Sequence, residues 1–390
     1  MVTFIIAQIG RRALFSMFLC YKNVNLNFNV QALRTLLTLT PSSKSQAQRR
    51  QLSFVRYDKV KRFHPSRGIS VCHTHTSKSS CSAIVINGKA IAQDIKDEIK
   101  AEVECIVESG KRAPRLAVLL VGNDAASIVY VRNKAIAAHY TGIACDILRI
   151  PEKVSEEEVL REIDLLNRLE EVDGILVQLP LPPHINERTI CDAVLPGKDV
   201  DGFNVLNVGR FCVDQKAFIP ATPSGVLEIL KRLKIETRGK NAVVCGRSKN
   251  VGLPIAMHLH SDGKGDNNAG DATTTICHRN TPPDQLMHFI KSADILVTAT
   301  GVPGLVTADM VKDGVIVIDI GITRIIDENG KPKLVGDVDF KGVSEKASYI
   351  TPVPGGVGPV TVAMVIKNTL TAYKKEYDYG PWNKAMSHNR

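Results

Sequence analysis

Acidic residues are almost absent from the first 80 positions, which hold thirteen Lys and Arg residues but a single acid, Asp58. The other 310 residues hold 37 basic and 39 acidic residues, so the net charge of +10 belongs to this leader. A nucleic-acid-binding surface needs positive charge clustered on a folded domain. The near-neutral body of the chain therefore predicts no nucleic-acid partner.

Long hydrophobic runs and paired cysteines are also missing. No stretch reaches the roughly eighteen apolar residues of a membrane span, so we expect no membrane association. The nine cysteines are scattered, without a Cys-x-x-Cys pair or the Cys/His spacing of a metal site. We interpret them as small core residues in a reducing compartment.

The leader, residues 1–80, is rich in Arg, Ser, Thr, Leu and Phe. Its short apolar runs at 3–9 and 13–20 are interrupted by Arg11 and Arg12. This composition is typical of an organelle transit peptide and favours mitochondrial import, into the matrix. A tail without an address and a secretory signal peptide are the alternatives.

From Ser82 onward, apolar strands alternate with amphipathic helices, which predicts an α/β fold with largely parallel sheets covered on both faces. The length of 390 residues and the 44% apolar content fit about two domains. In the first unit the patterns predict a strand near 84–86, a helix ending near Gly110, a strand at 116–121, a helix around Tyr130, a strand at 147–150, a Ser155-capped helix and a strand at 174–178.

A second unit begins at Pro220, where Thr222 is the predicted N-cap and Pro223 the first helical residue. Four predicted strands, at 241–245, 271–277, 295–299 and 315–320, alternate with helical segments. This is the pattern of a doubly wound nucleotide-binding domain. The Asp/Asn/Gly-rich stretch 261–270 is a predicted surface insertion.

Two stretches carry candidate chemistry. Tyr130 and Lys134 lie one helical turn apart, and an amine in an apolar setting can exchange protons near neutral pH if burial lowers its pKa. A half-buried ring beside a solvated ammonium group is the ordinary alternative. The glycine-bounded turn 246–254 follows a strand and opens a helix, as phosphate-binding loops do, although its spacing is not G-x-G-x-x-G and a plain tight turn is the alternative.

Six segments together resemble the methylenetetrahydrofolate dehydrogenase/cyclohydrolase family. They are YVRNK (130–134), VQLPLP (177–182), KDVDGF (198–203), PATPSG (220–225), GRSKNVGLP (246–254) and TPVPGGVGPVT (351–361). The resemblance covers about residues 83–375. It implies a bifunctional enzyme that oxidises 5,10-methylenetetrahydrofolate with a nicotinamide cofactor and then hydrolyses the methenyl product to 10-formyltetrahydrofolate.

The resemblance also implies roles for individual residues. Lys134 is the central catalytic group, helped by Gln178 and Tyr130, and Asp201 holds the pterin ring; turn formation at Asp201 and a strand-edge hydrogen bond at Gln178 are the structural alternatives. The remaining implied substrate contacts are Val131, Arg132, Asn133, Val177, Leu179, Pro354, Gly355, Gly356, Val357, Gly358 and Pro359. The implied cofactor contacts are Gly246, Arg247, Ser248, Lys249, Arg279, Gly301, Gly321 and Ile322.

The insertion at 261–270 and the Cys277-His278-Arg279-Asn280 stretch are similar to the mitochondrial NAD-dependent subgroup of that family. This similarity implies NAD together with Mg²⁺ and inorganic phosphate. Arg247 and Arg279 would hold the phosphate, Asp271 would orient Arg247, and Asp214 would bind the metal. The alternative is an NADP enzyme whose two arginines bind the 2′-phosphate directly.

We thus expect a folate-binding catalytic domain at 83–221 completed by 352–375, a Rossmann-like domain at 222–351, a tail at 376–390 of no predicted role, and a cleft between the domains. The resemblance implies a homodimer. Two other functions stay open at this point: a Rossmann dehydrogenase for another small substrate, and a non-catalytic nucleotide- or RNA-binding protein that retains its leader.

Overall fold

A computed structural model of the protein describes residues 82–265, 269–328 and 330–385. The predicted transit peptide therefore lies outside the described residues. Within them the structure has two parallel sheets and a two-stranded antiparallel ribbon, surrounded by helices. The predicted α/β fold class is confirmed.

The first sheet has three parallel strands, with β2 (Arg115–Val121) between β3 (Ala144–Ile150) and β4 (Gly174–Val177). Residues 116–120 of β2 are fully buried, as expected of a strand covered on both faces. The helices of this part are α1 (Gly88–Glu108), α2 (Ala125–Tyr140), α3 (Glu156–Arg168), α4 (Glu187–Ala193) and α5 (Val205–Cys212).

The second sheet has six parallel strands in the order β1-β11-β8-β7-β5-β6. They are β1 (Ile84–Val85), β5 (Asn241–Cys245), β6 (Thr273–Cys277), β7 (Ile295–Thr298), β8 (Ile316–Asp319) and β11 (Tyr349–Ile350). The helices are α6 (Ala221–Arg232), α7 (Gly252–His260), α8 (Pro283–Ser292), α9 (Phe340–Ser344), α10 (Val357–Lys374) and α11 (Trp382–Ala385), and the ribbon is β9 (Thr323–Ile326) with β10 (Pro332–Val335). Because the strands are parallel, their carboxyl ends share one edge.

Helix α10 connects the two sheets through the core. Its buried face, which includes Val360 and Ala363, belongs to one hydrophobic cluster with Leu116 of the first sheet and Val244 of the second. The chain thus returns to its first sheet after completing the second, as expected of a C-terminal helix near 360–375. None of the helices within the described ranges is both long and apolar enough to cross a membrane.

Three local expectations were wrong. The expected folate domain included residues 84–85, but these form β1, which pairs with β11 in the six-stranded sheet. A strand of two residues carries no sequence signal for such a long-range pairing. The helix expected to start after Thr222 begins at Ala221 with Pro220 as its N-cap and no side-chain cap. Among the cysteines, Cys191, Cys245 and Cys277 are buried as expected, whereas Cys105 and Cys212 are exposed.

Candidate active site

Lys134 lies on the inner face of α2, with its side chain only 8% exposed. The helix starts at Asp124, whose carboxylate accepts a hydrogen bond from the backbone N–H of Ser127 at 2.7 Å. Burial lowers the pKa of the Lys134 ammonium group, and the nearby Asp201 carboxylate opposes this shift. The structure therefore favours a neutral amine at this position more than an exposed lysine would.

Gln178 directly follows β4 and accepts a hydrogen bond from the Lys134 Nζ atom through its Oε1 atom at 3.0 Å. Its Nε2 atom donates to the backbone carbonyl of Leu179 at 2.7 Å. Since that carbonyl can only accept, the amide nitrogen must face it and the amide oxygen must face Lys134. Leu179 thus fixes the orientation in which Gln178 accepts a hydrogen bond from the lysine.

Asp201 lies on a turn whose preceding residues run beside β4, with a backbone bond from Ile175 N to Lys198 O. Burial raises the pKa of Asp201, and the proximity of Lys134 partly offsets this effect. Among the described residues, none donates a hydrogen bond to its carboxylate. Asp201 is therefore available to a ligand beside Lys134.

Asp199 has the opposite arrangement and organises the turn. Its carboxylate accepts hydrogen bonds from the backbone N–H groups of Gly202 and Asn204 and from Nδ2 of Asn207, at 3.1, 2.8 and 2.8 Å. Burial raises the pKa of Asp199 to about 7, although these hydrogen bonds act in the other direction. Gly202 has a φ of +71°, and a Cβ atom there would lie 2.4 Å from the carbonyl oxygen of Phe218.

Other predicted residues of α2 and the neighbouring segments lie in three different places. Tyr130 is 38% exposed one turn before Lys134, and burial of its ring raises its pKa. Arg132, two residues from either, lines an open groove with Ile136 and His139 instead. Three valines of the predicted substrate set lie in the hydrophobic core and support the site from behind, namely Val131, Val177 and Val357.

The glycine-rich segment 351–361 leads into α10, whose first residues it includes, and contacts both halves of the molecule. A Cβ atom on Gly88, at the start of α1, would lie 1.8 Å from the carbonyl oxygen of Gly356. A Cβ atom on Gly358 would lie 4.0 Å from Cδ1 of Ile322, which follows β8. This segment therefore joins the first turn of α1 to the carboxyl edge of the six-stranded sheet.

That edge carries the features of a dinucleotide site. Gly246 follows β5 with a φ of +124°, and a Cβ atom there would lie 2.4 Å from the carbonyl oxygen of Ala299. Gly252, the first residue of α7, packs equally closely on Gly246. The backbone can thus approach a pyrophosphate at the amino end of a helix, where partial positive charge favours an anion. Gly301 and Gly321 follow the neighbouring strands at the same edge.

Two buried carboxylates hold the loops at the far end of this edge. Asp319 accepts hydrogen bonds from the hydroxyl of Thr298 and from the backbone N–H of Gly321, at 2.9 and 3.0 Å, and burial raises its pKa to about 6. Asp337 accepts from the backbone N–H and the hydroxyl of Thr300 through one oxygen. These contacts fix the loops that contain Gly301 and Ile322.

Arg247 and Arg279 each stand two residues after the register-paired Cys245 and Cys277, so the structure brings both arginines to one corner of the edge. Both side chains are exposed, and neither forms an ion pair with a residue that the structure describes. Asp271 lies instead at the amino end of β6 and pairs with Arg238, with Nε and Oδ2 3.5 Å apart. Its expected orientation of Arg247 is contradicted, because a five-residue strand of roughly 16 Å separates the two ends.

Asp214 follows α5 and contacts the insertion, where its Oδ2 atom accepts a hydrogen bond from the backbone N–H of Gly265 at 2.8 Å. Across the described ranges, no group of three or more His, Cys, Asp or Glu side chains is arranged to hold a metal ion. A hard cation bound by Asp214 would therefore take most of its ligands from water and phosphate oxygens.

The fold and these two sets of residues define a class of protein, an α/β enzyme with a buried lysine site joined to a nicotinamide-dinucleotide-binding sheet edge. Comparison with protein families gives a more specific result. Residues 86–201 match the catalytic domain of tetrahydrofolate dehydrogenase/cyclohydrolase, and residues 220–377 match its NAD(P)-binding domain. The chain belongs to the tetrahydrofolate dehydrogenase/cyclohydrolase family.

Individual relatives agree with this assignment. The chain is 57% identical to the mitochondrial bifunctional methylenetetrahydrofolate dehydrogenase/cyclohydrolase of Gallus gallus over 77% of this chain and 90% of the relative. It is 56% identical to the mitochondrial bifunctional methylenetetrahydrofolate dehydrogenase/cyclohydrolase 2 of Homo sapiens, over 75% and 85%. The solved structure of 5,10-methylenetetrahydrofolate dehydrogenase from the silkworm Bombyx mori aligns with a TM-score of 0.71 at 51% identity, over 75% of this chain and 99% of that one.

Sequence reasoning missed Asp199, Asp319 and Asp337, which hold the loops of the site. Asp199 stands in the same KDVDGF segment as Asp201, between Lys198 and Val200, and no local signal distinguishes the two acids. Asp319 ends a strand of four residues, which is a usual place for a side chain that caps a loop.

Proposed function

We propose that the chain oxidises 5,10-methylenetetrahydrofolate to 5,10-methenyltetrahydrofolate with NAD and hydrolyses the product to 10-formyltetrahydrofolate. The observation that carries this proposal is the contact of the buried Lys134 amine with Gln178, beside an Asp201 carboxylate that has no donor of its own among the described residues. Family membership supports both activities.

In the hydrolysis, Lys134 is the proton acceptor. Burial holds part of its population as the neutral amine, and Gln178 orients it without adding charge. A neutral amine can take the proton of a water molecule that attacks the methenyl carbon. Asp201 accepts hydrogen bonds from the amino and ring nitrogens of the pterin, and the ring of Tyr130 lies one turn away at the mouth of the site.

In the oxidation, NAD accepts a hydride directly from the substrate. The residues of this chain orient the two partners, because hydride transfer needs no side chain between them. Gly246, Arg247, Ser248 and Lys249 would hold the pyrophosphate side. The Gly301, Gly321 and Ile322 loops would hold the nicotinamide side, and the segment 354–359 would line the folate.

The choice of NAD rests on the corner formed by Arg247 and Arg279. In Rossmann domains the end of the second strand selects between the two cofactors: an acid favours the NAD ribose and an arginine the NADP phosphate. Arg279 occupies this place, which by itself favours a bound phosphate group. Because the insertion at 261–270 and the 277–280 stretch are similar to the NAD-dependent subgroup, we propose that this group is inorganic phosphate, bound by both guanidinium groups in the volume of the 2′-phosphate, with Mg²⁺ held at Asp214.

The assembly and the location of the protein are proposed from its exposed surface and its leader. An exposed apolar surface on α2 and the edge strand β3, including Val129, Ile136 and Ile147, supports a homodimer. The basic leader and the mitochondrial relatives support import into the mitochondrial matrix. Light scattering of the purified protein and the N-terminal sequence of the mature protein test these two statements.

The central test is the variant Lys134→Ala. We expect it to abolish cyclohydrolase activity, because the variant lacks the amine that accepts the proton of the attacking water. Hydrolysis of the methenyl substrate above the spontaneous rate would refute the assigned role. If the purified protein produced no NADH from methylenetetrahydrofolate but turned over a hydroxy acid, the proposed substrate would be wrong.

Cofactor and ions are tested together by initial rates with NAD and with NADP, each with and without Mg²⁺ and phosphate. We expect the NAD rate to require both ions and the NADP rate to be reduced by phosphate, which would compete for the same arginines. An NADP rate that exceeds the NAD rate under all four conditions would establish the NADP alternative.

A further inference from the structure

The C-terminal segment Tyr377–Asn383 folds back onto the turn that carries Asp201. Most of it lies beyond residue 377, where the match to the cofactor-domain family ends. The rings of Tyr377 and Tyr379 pack on Phe218, with centroids 5.0 and 6.4 Å apart. Tyr379 is 3% exposed, so this terminal residue is part of the core.

A chain of hydrogen bonds leads from Tyr379 to the turn. The Tyr379 hydroxyl donates to Oδ1 of the buried Asn207 at 2.5 Å. Asn207 Nδ2 donates to Asp199 Oδ2 at 2.8 Å, and Asp199 accepts the backbone N–H groups of Gly202 and Asn204. Asp201 lies between two residues of this network and makes no side-chain hydrogen bond with the described residues.

The Asn207 side chain makes four hydrogen bonds, and the one from the tyrosine is the shortest. Its Oδ1 atom also accepts from the backbone N–H of Phe218, but at the longer distance of 3.3 Å, and its Nδ2 atom donates to the carbonyl oxygen of Pro196 at 3.1 Å as well as to Asp199. Loss of the hydroxyl would leave the buried Oδ1 atom with one long hydrogen bond, so the amide would be held firmly only through Nδ2 and could shift its position against Asp199. The Tyr379 hydroxyl is therefore the last group in the hydrogen-bond chain that keeps the turn in one conformation, and it is the group farthest from Asp201.

Two further contacts hold the C-terminal segment in place. Arg210 Nη1 donates to the carbonyl of Asp378 at 2.8 Å, and its guanidinium group lies 4.7 Å from the centre of the Tyr379 ring. The backbone N–H of Gly197 donates to Oδ1 of Asn383 at 3.1 Å, just before the turn begins. The C-terminal segment thus contacts the chain both before the turn, at Gly197, and after it, at Arg210.

We propose that Tyr379 is a positioning residue for the folate substrate, acting through Asn207 and Asp199 on the Asp201 carboxylate. This inference rests on the proposed role of Asp201 in holding the pterin. It assigns a function to the tail, which neither the sequence motifs nor the two family matches cover.

The first test is Tyr379→Phe, with Tyr377→Phe as its matched control, because the Tyr377 hydroxyl makes no hydrogen bond with a described residue. We expect Tyr379→Phe to raise KM for methylenetetrahydrofolate about fivefold to tenfold, as for one lost buried hydrogen bond, with kcat and KM for NAD within about twofold. The control should change none of them. If Tyr379 had only a structural role, its replacement would lower the amount of active enzyme, and therefore the apparent kcat, while KM stayed unchanged. A lower apparent kcat at unchanged KM would overturn the proposal.

The second test is a double-mutant cycle with Asp201→Asn, read as Kd for tetrahydrofolate by calorimetry, which needs no turnover. If Tyr379 acts through Asp201, Tyr379→Phe weakens binding in the native background and has no further effect in Asp201→Asn. Independent effects that multiply overturn the inference. If Asp201→Asn weakens binding but Tyr379→Phe does not, the inference about Tyr379 is refuted while the proposed role of Asp201 stands. If Asp201→Asn leaves binding unchanged, both the inference and the role of Asp201 are refuted.

Discussion

Replacement of Gln178 by Glu provides the sharpest test of the neutral-amine site. The change puts a carboxylate where Oε1 now lies, 3.0 Å from the Lys134 Nζ atom. At an effective dielectric constant of about 20, two unit charges at that distance attract by about 5.5 kcal/mol. An opposite charge this close raises the pKa of an amine by about 1 to 3 units in proteins. At a pH below the native pKa of Lys134, the neutral fraction of the amine would fall about tenfold to thousandfold.

The measurement is the rate of methenyl hydrolysis against pH, corrected for the spontaneous reaction. We expect Gln178→Glu to lose activity by up to this factor near pH 7.5 and to recover it as pH rises, since the amine regains its neutral form. The exposed Gln285 on α8 provides the matched control, because Gln285→Glu makes the same change far from Lys134. A Gln178→Glu profile that coincides with the native profile would refute the requirement for a neutral amine.

Two stability predictions complement this test. Gly88→Ala should lower the free energy of unfolding, measured by urea titration, by about 3 kcal/mol, because its Cβ atom would lie 1.8 Å from the backbone oxygen of Gly356. The control Gly209→Ala, whose Cβ atom would have no described atom within 4 Å, should raise the free energy of unfolding by about 0.5 to 1 kcal/mol. Equal effects of the two would contradict the packing of the Gly88 turn. Burial raises the pKa of Asp199 to about 7, so the folded state binds more protons than the unfolded state between about pH 4 and 7. The free energy of unfolding should therefore fall as pH rises through this window, by at most about 1.4 kcal/mol per pH unit. Asp199→Asn should make this pH dependence flatter. An unchanged slope in the variant would show that Asp199 does not cause the pH dependence.

Local elements were predictable because their signals are local. The Ser155 cap and the Glu158 side chain form the expected capping box, α1 ends two residues before the predicted Gly110, and β2 begins one residue before its predicted start. These features depend on residues three or four apart, or on an unbroken apolar run.

The pairing of distant residues was not predictable in the same way. Strand β1 joins the second sheet because it pairs with β11, more than 260 positions along the chain. Asp271 pairs with Arg238 instead of orienting Arg247 because the two ends of β6 face opposite edges of the sheet. Both relations depend on topology, which a single sequence leaves open.

The order of motifs along the chain was enough to indicate the class of enzyme and the α/β architecture, and the resemblance of those motifs to one family implied the pairing of Lys134 with Gln178. The alternation of strands and helices is a local pattern, and the motifs are short runs of residues that can be read without the fold. Only the tertiary structure decided that Lys134 is buried, that Asp199 holds the turn while Asp201 stays open to a ligand, and that Tyr379 closes the network behind it. Burial and hydrogen bonding arise between segments far apart in the chain, so they exist only once the core has formed.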